Sequence, residues 1–408
     1  MVPALLPLRL FILRVAVPPR TLANTGFKRT TVPHPTTCRK STGRFLKPNV
    51  SRQLQKYEGA RNSAYAVLFV YFLIVGYPMG DDTTKSTSLP VIRSLVSPQA
   101  LADLIKRSYG LSDVGCQLVK GTIRDVYQIE SNAGPRIFAL YRHNRRTRDQ
   151  IKAELLVLDH LHQNAIQVPT AVPTLDGDAV VTLELPEGTR IGVIFTYLEG
   201  EQLSRSPDSK TVRRFGHLVA EIHCLLDALP RKLARPVLGF ESIVTDSIQA
   251  FESAFGHKQE EISYLKSVAL ELAPRMSELS TDTPQFGLVH GDISASNTRL
   301  LPGGKLGILD FDFSGWGWRA YDVATYASEV RYWRAPDENR TAFLKGYQEV
   351  RPLTDSELRS IPVFEAARHI HSLGTPSMYV DEWGSAYLSQ NLLKSLLSCT
   401  ADTISGIS

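Results

Sequence analysis

At 408 residues the chain is long enough for two or three domains of about 150 residues each, and 43% hydrophobic with 21% charged residues excludes disordered, collagen-like and multi-span membrane classes for most of it. Charge is uneven: residues 1–63 hold 12 of the 46 Lys/Arg but only one acid, Glu58, so the rest carries 34 Lys/Arg against 40 acids. A mildly acidic body has no nucleic-acid footprint, and four distant cysteines (Cys38, Cys116, Cys224, Cys399) without a C-x-x-C pair argue for buried thiols in a reducing compartment.

Residues 1–63, rich in Pro, Thr and Arg, match an organellar transit peptide in composition; a disordered basic tail, or sequence upstream of the true start, fits the same composition. Residues 64–80 follow as an apolar segment. No charge occurs between Arg61 and Asp81, a gap of 19 residues, where a membrane helix needs about 20. The run 64–77 therefore reads as a short span, or as sequence ahead of a start at Met79. The body is expected in the cytoplasm, with an organellar or membrane-anchored location left open if residues 1–78 are genuine. From residue 88 the pattern is globular. Ser97-Pro98 opens a helix with the stripe Leu101, Leu104 and Ile105, which Gly110 ends. Strand-like runs follow at 117–120, 125–129 and 136–142, a helix carrying Ile151, Leu155 and Leu158, then strands at 179–185 and 192–197. Gly200 suits a hinge. Helical spacing dominates thereafter, apart from a hairpin near 298–310 turned at Pro302-Gly303-Gly304. The result is a small α+β lobe over 88–199 and a larger helical lobe over 200–408, with a ligand cleft between them.

The strongest chemical signal is His290-Gly291-Asp292-Ile293-Ser294-Ala295-Ser296-Asn297, followed by Gly307-Ile308-Leu309-Asp310-Phe311-Asp312. Phosphoryl transfer needs positioning and charge neutralisation. Asp292 fits the base that meets an acceptor hydroxyl. Asn297 and Asp310 fit the oxygen ligands of Mg²⁺. Taken singly, Asp292 could be a turn residue and Asp310 a strand terminator. Glu154 lies on the inward stripe of its helix, where an acid is costly unless paired.

These motifs resemble the aminoglycoside phosphotransferase/choline kinase family, relatives of the protein kinases. Weaker matches at Arg145–Ile151, Val168–Pro173, Pro186–Arg190, Phe195–Gly200 and Tyr321–Ala324 extend the similarity over about residues 88–395, most like the subgroup of stress-response kinase A and type II homoserine kinases. The resemblance implies an α+β, bilobal, protein-kinase-like fold, with a small antiparallel-sheet N-lobe and a larger, mostly helical C-lobe. It implies ATP with adenine held at Phe195, Tyr197 and Leu198. It makes Asp292 the base and Asn297 and Asp310 the Mg²⁺ ligands; Asp322 becomes structural, His290 a brace of the loop, and Glu154 the partner of a phosphate-gripping cation. The acceptor would be a hydroxyl of a small molecule or of a Ser/Thr side chain.

One departure matters. In the family that cation sits mid-strand, where this chain has Ala139. Arg142 would reach the site only through a bulge, and Lys120 only from an adjacent strand. Without either, the chain would be a weak kinase or an inactive nucleotide-binding module. Two further segments stay open. Gly315-Trp316-Gly317-Trp318 is either a substrate-facing aromatic loop or packing. Arg368-His369-Ile370-His371 is expected as helix surface plus core, not a metal cluster.

Overall fold

The computed structural model describes residues 89–407. The segments 1–63 and 64–80 lie outside the described residues. No helix among the described residues is long and apolar enough to cross a membrane.

Helix α1 (Pro98–Tyr109) begins with Pro in its first turn and ends at Gly110, whose left-handed backbone lets its N–H reach the Lys106 carbonyl. The Ser97 side chain caps nothing; its carbonyl accepts from Leu101 instead. Strands β1 (Gly115–Gly121), β2 (Arg124–Glu130) and β3 (Arg136–Tyr141) pair antiparallel in order. Helix α2 (Arg148–Gln163) starts in a capping box in which Thr147 and Gln150 bond each other's backbone N–H groups. Strands β4 (Ala171–Val172), β5 (Val181–Leu185) and β6 (Gly188–Thr196) complete the sheet, ordered β1-β2-β3-β6-β4 with β5 also on β6. Its two faces differ. Tyr127, Ile129, Phe138 and Leu140 pack with α1, whereas Ala139 and Tyr141 join the main core with α2.

The C-lobe begins with β7 (Glu201–Gln202) and α3 (Ser209–Leu226), the latter capped by Asp208 on the Thr211 N–H. Then come β8 (Val237–Leu238), α4 (Asp246–Phe255), α5 (Gln259–Ser277), β9 (Phe286–Val289), β10 (Thr298–Leu300), β11 (Leu306–Ile308), β12 (Gly315–Trp318), α6 (Arg319–Tyr332), α7 (Asp337–Val350), α8 (Asp355–Met378), α9 (Val380–Trp383) and α10 (Gln390–Ser405). Helices α3 and α7 cross so closely that a Cβ at Gly216 or Gly346 would overlap the opposing backbone. Strands β10 and β11 form the expected hairpin, and β7 joins its edge.

The segment 315–318 is a strand rather than a loop: β12 runs between β8 and β9. Its indoles are structural, with Trp316 donating to Leu233 O (3.2 Å) and Trp318 to Ser280 O (3.0 Å). The short sheet escapes helical periodicity because each of its strands spans only two to four residues. It has one consequence for chemistry. β9 delivers the loop 290–297, and the β10–β11 hairpin that follows delivers Asp310.

Candidate active site

The loop after β9 is held by bonds that leave little freedom. Asp322, on α6 and fully buried, accepts from the backbone N–H groups of His290 and Gly291, both at 2.7 Å, and from His223 Nε2 at 3.0 Å. Burial would raise its carboxyl; the hydrogen bonds from His223 and from the loop N–H groups outweigh this and lower it. His223 is pushed down to about 4 by burial, so it is neutral; its Nδ1 accepts from Tyr347, which in turn accepts from Arg351. His290 braces the loop: Nδ1 accepts from the Asp292 N–H (3.1 Å), and Nε2 donates to Leu309 O (2.9 Å) at the end of β11. Gly291 has φ 80°, and a Cβ there would press on the Phe313 carbonyl at 2.5 Å.

Asn297 Nδ2 donates to Asp292 Oδ2 (2.8 Å) and to the Asp292 carbonyl (3.0 Å). Its Oδ1 has no partner among the described residues. A backbone bond from Leu309 N–H to Asn297 O (2.8 Å) sets Asp310 beside this amide. Asp310 sits in the left-handed region (φ 68°, ψ 60°), a conformation that costs roughly 1–3 kcal/mol outside glycine and clusters at functional sites. Its Oδ1 bonds Arg124, while Oδ2 has no partner among the described residues. Two uncommitted oxygens, one amide and one carboxylate, suit a hard divalent cation. No cluster of three His, Cys, Asp or Glu side chains able to hold a metal occurs among the described residues.

The cation beside Glu154 is neither Arg142 nor Lys120. Glu154 is buried, and Arg124 Nη1 lies 3.4 Å from its Oε1, while Arg124 Nη2 lies 2.7 Å from Asp310 Oδ1. Arg124 starts β2 opposite Tyr141, and Val126 pairs with Ala139, so Arg124 is on the sheet face of Ala139. β3 carries no bulge. Arg142 accordingly points to the opposite face, where it joins Arg93 and Arg190 around Asp125 and donates to Thr122 O. Lys120 is exposed and forms no ion pair among the described residues. Burial raises the Glu154 carboxyl, and Arg124 and Arg235 pull against that rise. Arg235 is fully buried and fastens the turn after Asp310 by donating to the carbonyls of Phe311, Asp312 and Ser314, as well as to Gln150 O on α2. Asp312 is held ionised: burial opposes the charge, but Arg146, Arg124, Arg145 and Arg235 outweigh it.

Phe195 is buried on β6, Tyr197 is exposed just past its end, and Leu198 packs on Gly307 of the hairpin. Backbone N–H and C=O groups of Leu198 have no partner among the described residues, which suits the edge of a planar base.

The sequence reading missed Arg368 and Glu329. Arg368, on α8, pairs with Asp292 Oδ1 and donates to Gly291 O (3.2 Å). Burial would raise the Asp292 carboxyl, but Arg368, His290 and Asn297 hold it below the ordinary range. His369 and His371 are kept neutral by burial, each near 3. Beside Asp292 opens a cavity of about 350 Å³ whose wall includes Ser294, Thr325, Glu329, Trp333, Arg368 and Ser372. Glu329 is lifted from 4.5 to about 7, chiefly by burial and further by Asp292; its bond from Ala295 N–H and the cations Arg368 and Arg205 pull the other way. A raised carboxyl binds more protons folded than unfolded, so its contribution erodes as pH climbs from about 4.5 to 7. Glu329→Gln keeps an acceptor for Ala295 and should melt higher than the parent at pH 8 but level with it at pH 4. A parent at least as stable as the variant at pH 8, by calorimetry, would contradict this.

Comparison with known proteins agrees with this geometry. The profile of the phosphotransferase enzyme family (APH) matches residues 115–357. An uncharacterized protein of Deinococcus radiodurans is 30% identical over 312 residues, 75% of this chain and 90% of that protein. A homoserine kinase of Rhizobium meliloti is 28% identical over 252 residues, 60% of this chain and 73% of its own. Among solved structures, a microcompartment-associated aminopropanol kinase superposes with a TM-score of 0.66 at 21% identity, covering 76% of this chain and 98% of its own. Amicoumacin kinase, solved with AMP-PNP, Ca²⁺ and its ligand, gives 0.64 at 19% identity, covering 76% and 94%. The matched profile spans the sheet that carries Arg124, the loop that carries Asp292 and the strand that ends in Asp310, and the chain belongs to the phosphotransferase enzyme family, as a kinase of bilobal, protein-kinase-like fold.

Proposed function

We propose that the chain moves the γ-phosphoryl group of ATP, with Mg²⁺, onto a hydroxyl of a small molecule, with Asp292 as the base. The observation that carries this is Arg124, which pairs with Glu154 as the phosphate-gripping lysine of protein kinases pairs with a helix glutamate, and which reaches Asp310 as well. Ala139 thereby ceases to argue for an inactive nucleotide-binding module. When bound, Mg²⁺ would be held by Asn297 and Asp310 and would neutralise phosphate charge. Arg124 supplies further positive charge from above. Both Asp292 oxygens already receive one N–H each, from Arg368 and Asn297, which fixes the carboxylate and leaves a lone pair for the acceptor hydroxyl. A carboxylate held this acidic orients the hydroxyl first and takes its proton late, as a loose phosphoryl-transfer transition state allows. The similarity to a homoserine kinase supports a small acceptor over a protein side chain.

The test is metal dependence of transfer, followed by ³¹P NMR with ATP and an alcohol panel. EDTA should abolish product, added Mg²⁺ should restore it, and Asp310→Asn should raise the Mg²⁺ requirement about tenfold or more. Transfer that persists in EDTA rules the reading out.

A further inference from the structure

A second cavity, of about 590 Å³, shares no wall residue with the one beside Asp292. It is bounded by the connection after α2, the first half of α3, the start of β11 and the end of α7. Ile166, Leu218 and Leu306 form an apolar floor. That floor is tied together by backbone, since Ile308 N–H on β11 donates to Gln167 O at 2.9 Å.

The rim is basic. It carries Lys210, Arg213, Arg214 and Lys305 against Glu221 and Glu349. Both acids are already matched: Glu349 accepts from Arg213 Nε at 2.6 Å, and Glu221 lies 3.5 Å from His217 Nε2. Lys210, Arg214 and Lys305 are exposed and form no ion pair among the described residues. Lys210 and Arg214 are four apart on α3 and share a face, a spacing at which like charges repel. Arg214 also reaches the hairpin turn beside Lys305: a Cβ on Gly304 would lie 3.7 Å from its Nη1. Three unmatched cations thus converge on one groove, although residues 64–408 hold 34 Lys/Arg against 40 acids.

We propose that this groove docks an acidic linear segment of a partner protein. An apolar side chain of that segment covers the floor, and flanking carboxylates take up Lys210, Arg214 and Lys305. A bare phosphate would leave the floor uncovered. A purely apolar segment would cover the three cations without pairing them. A basic partner has the wrong sign, and so does this chain's own segment 1–63, with 12 Lys/Arg and one acid. Exposed ion pairs are individually weak, so the contact is a modest one that salt loosens.

The experiment is fluorescence anisotropy with three labelled hexapeptides: Glu-Glu-Leu-Leu-Glu-Glu, its analogue with both leucines replaced by serine, and the charge-reversed Lys-Lys-Leu-Leu-Lys-Lys. They are titrated with the full chain and with a variant combining Lys210→Glu, Arg214→Glu and Lys305→Glu. Both proteins keep the basic segment 1–63, so binding there cancels in the comparison. The acidic leucine peptide should bind the parent at least about tenfold more tightly than the variant, three weak pairs being lost together. The serine analogue should bind the parent about tenfold more weakly, the scale of an apolar side chain taken from water. The charge-reversed peptide should prefer the variant. The KM for ATP and kcat of the variant should stay within about twofold of the parent, because none of the three side chains pairs with a residue of the active site. Where the triple variant does not fold, Lys305→Glu alone should cost about threefold. Equal affinity of the acidic peptide for parent and variant overturns the inference, as does a serine analogue that binds as tightly as the leucine peptide. So does inorganic tripolyphosphate that binds the parent but not the variant while the acidic peptide binds neither, which assigns the groove to a small anion.

Discussion

Asp292→Asn is expected to lower kcat by about 10²–10⁴-fold, the usual worth of a positioned base, while the affinity for ATP stays within about twofold. The split follows from geometry. Asp292 lies on the loop facing the acceptor cavity, whereas Arg124, Glu154 and Asp310 form a separate cluster under the sheet. The amide would keep an acceptor for Arg368 but turn a donor toward the Asn297 Nδ2 that now gives its proton to Asp292. A mismatch of that kind costs about 1–3 kcal/mol, so the variant should melt somewhat lower and still bind nucleotide. Isothermal titration with a non-hydrolysable ATP analogue, beside steady-state kinetics, separates the two effects. Unchanged kcat in a folded, nucleotide-binding variant would remove Asp292 from the chemistry.

Arg124→Ala should cost about 10²–10³-fold in kcat/KM, the scale of removing one preorganised donor from developing charge. It also leaves Glu154 facing only the more distant Arg235, at 3.7 Å. Arg124→Lys should recover part of the loss, since ammonium keeps the charge but not the fork that spans Glu154 and Asp310. The controls are the two cations that a reading of the strands favours. Lys120→Ala should change activity less than twofold, because the side chain is exposed and unpaired among the described residues. Arg142→Ala should lower Tm by breaking into the cluster around Asp125, with activity per folded molecule retained. Should Arg142→Ala lose catalysis at an unchanged melting point while Arg124→Ala retains it, the assignment of the cation is reversed.

The contrast between these residues explains what could be read from sequence. The loop 290–297 and the strand ending in Asp310 were legible because their spacing is local: a few residues of chain carry the whole arrangement. The first helix, the leading strands and the Pro-Gly-Gly hairpin were legible for the same reason. Arg124 was not. Its role depends on the cross-strand register that puts Val126 opposite Ala139, and register is a pairwise fact that one strand does not contain. Strict alternation along β3 did point Arg142 away from Ala139, and that argument was the useful signal. Arg368 was hidden differently. Nothing in its own run indicates that α8 passes 76 residues later beside Asp292; only the tertiary fold reveals it. Glu329 is seven residues beyond Asp322 and looks like an ordinary helical acid until its burial beside Asp292 is seen.

Arg235 limits how far the turn after Asp310 can move. One guanidinium, sealed from water, gathers the carbonyls of Phe311, Asp312 and Ser314 in the turn after Asp310 and one from α2. Swinging that turn outward would leave Arg235 only Glu154 and the Gln150 carbonyl as partners. A shift of that turn would have to break three buried hydrogen bonds together, so the segment after Asp310 is anchored from the interior of the lobe.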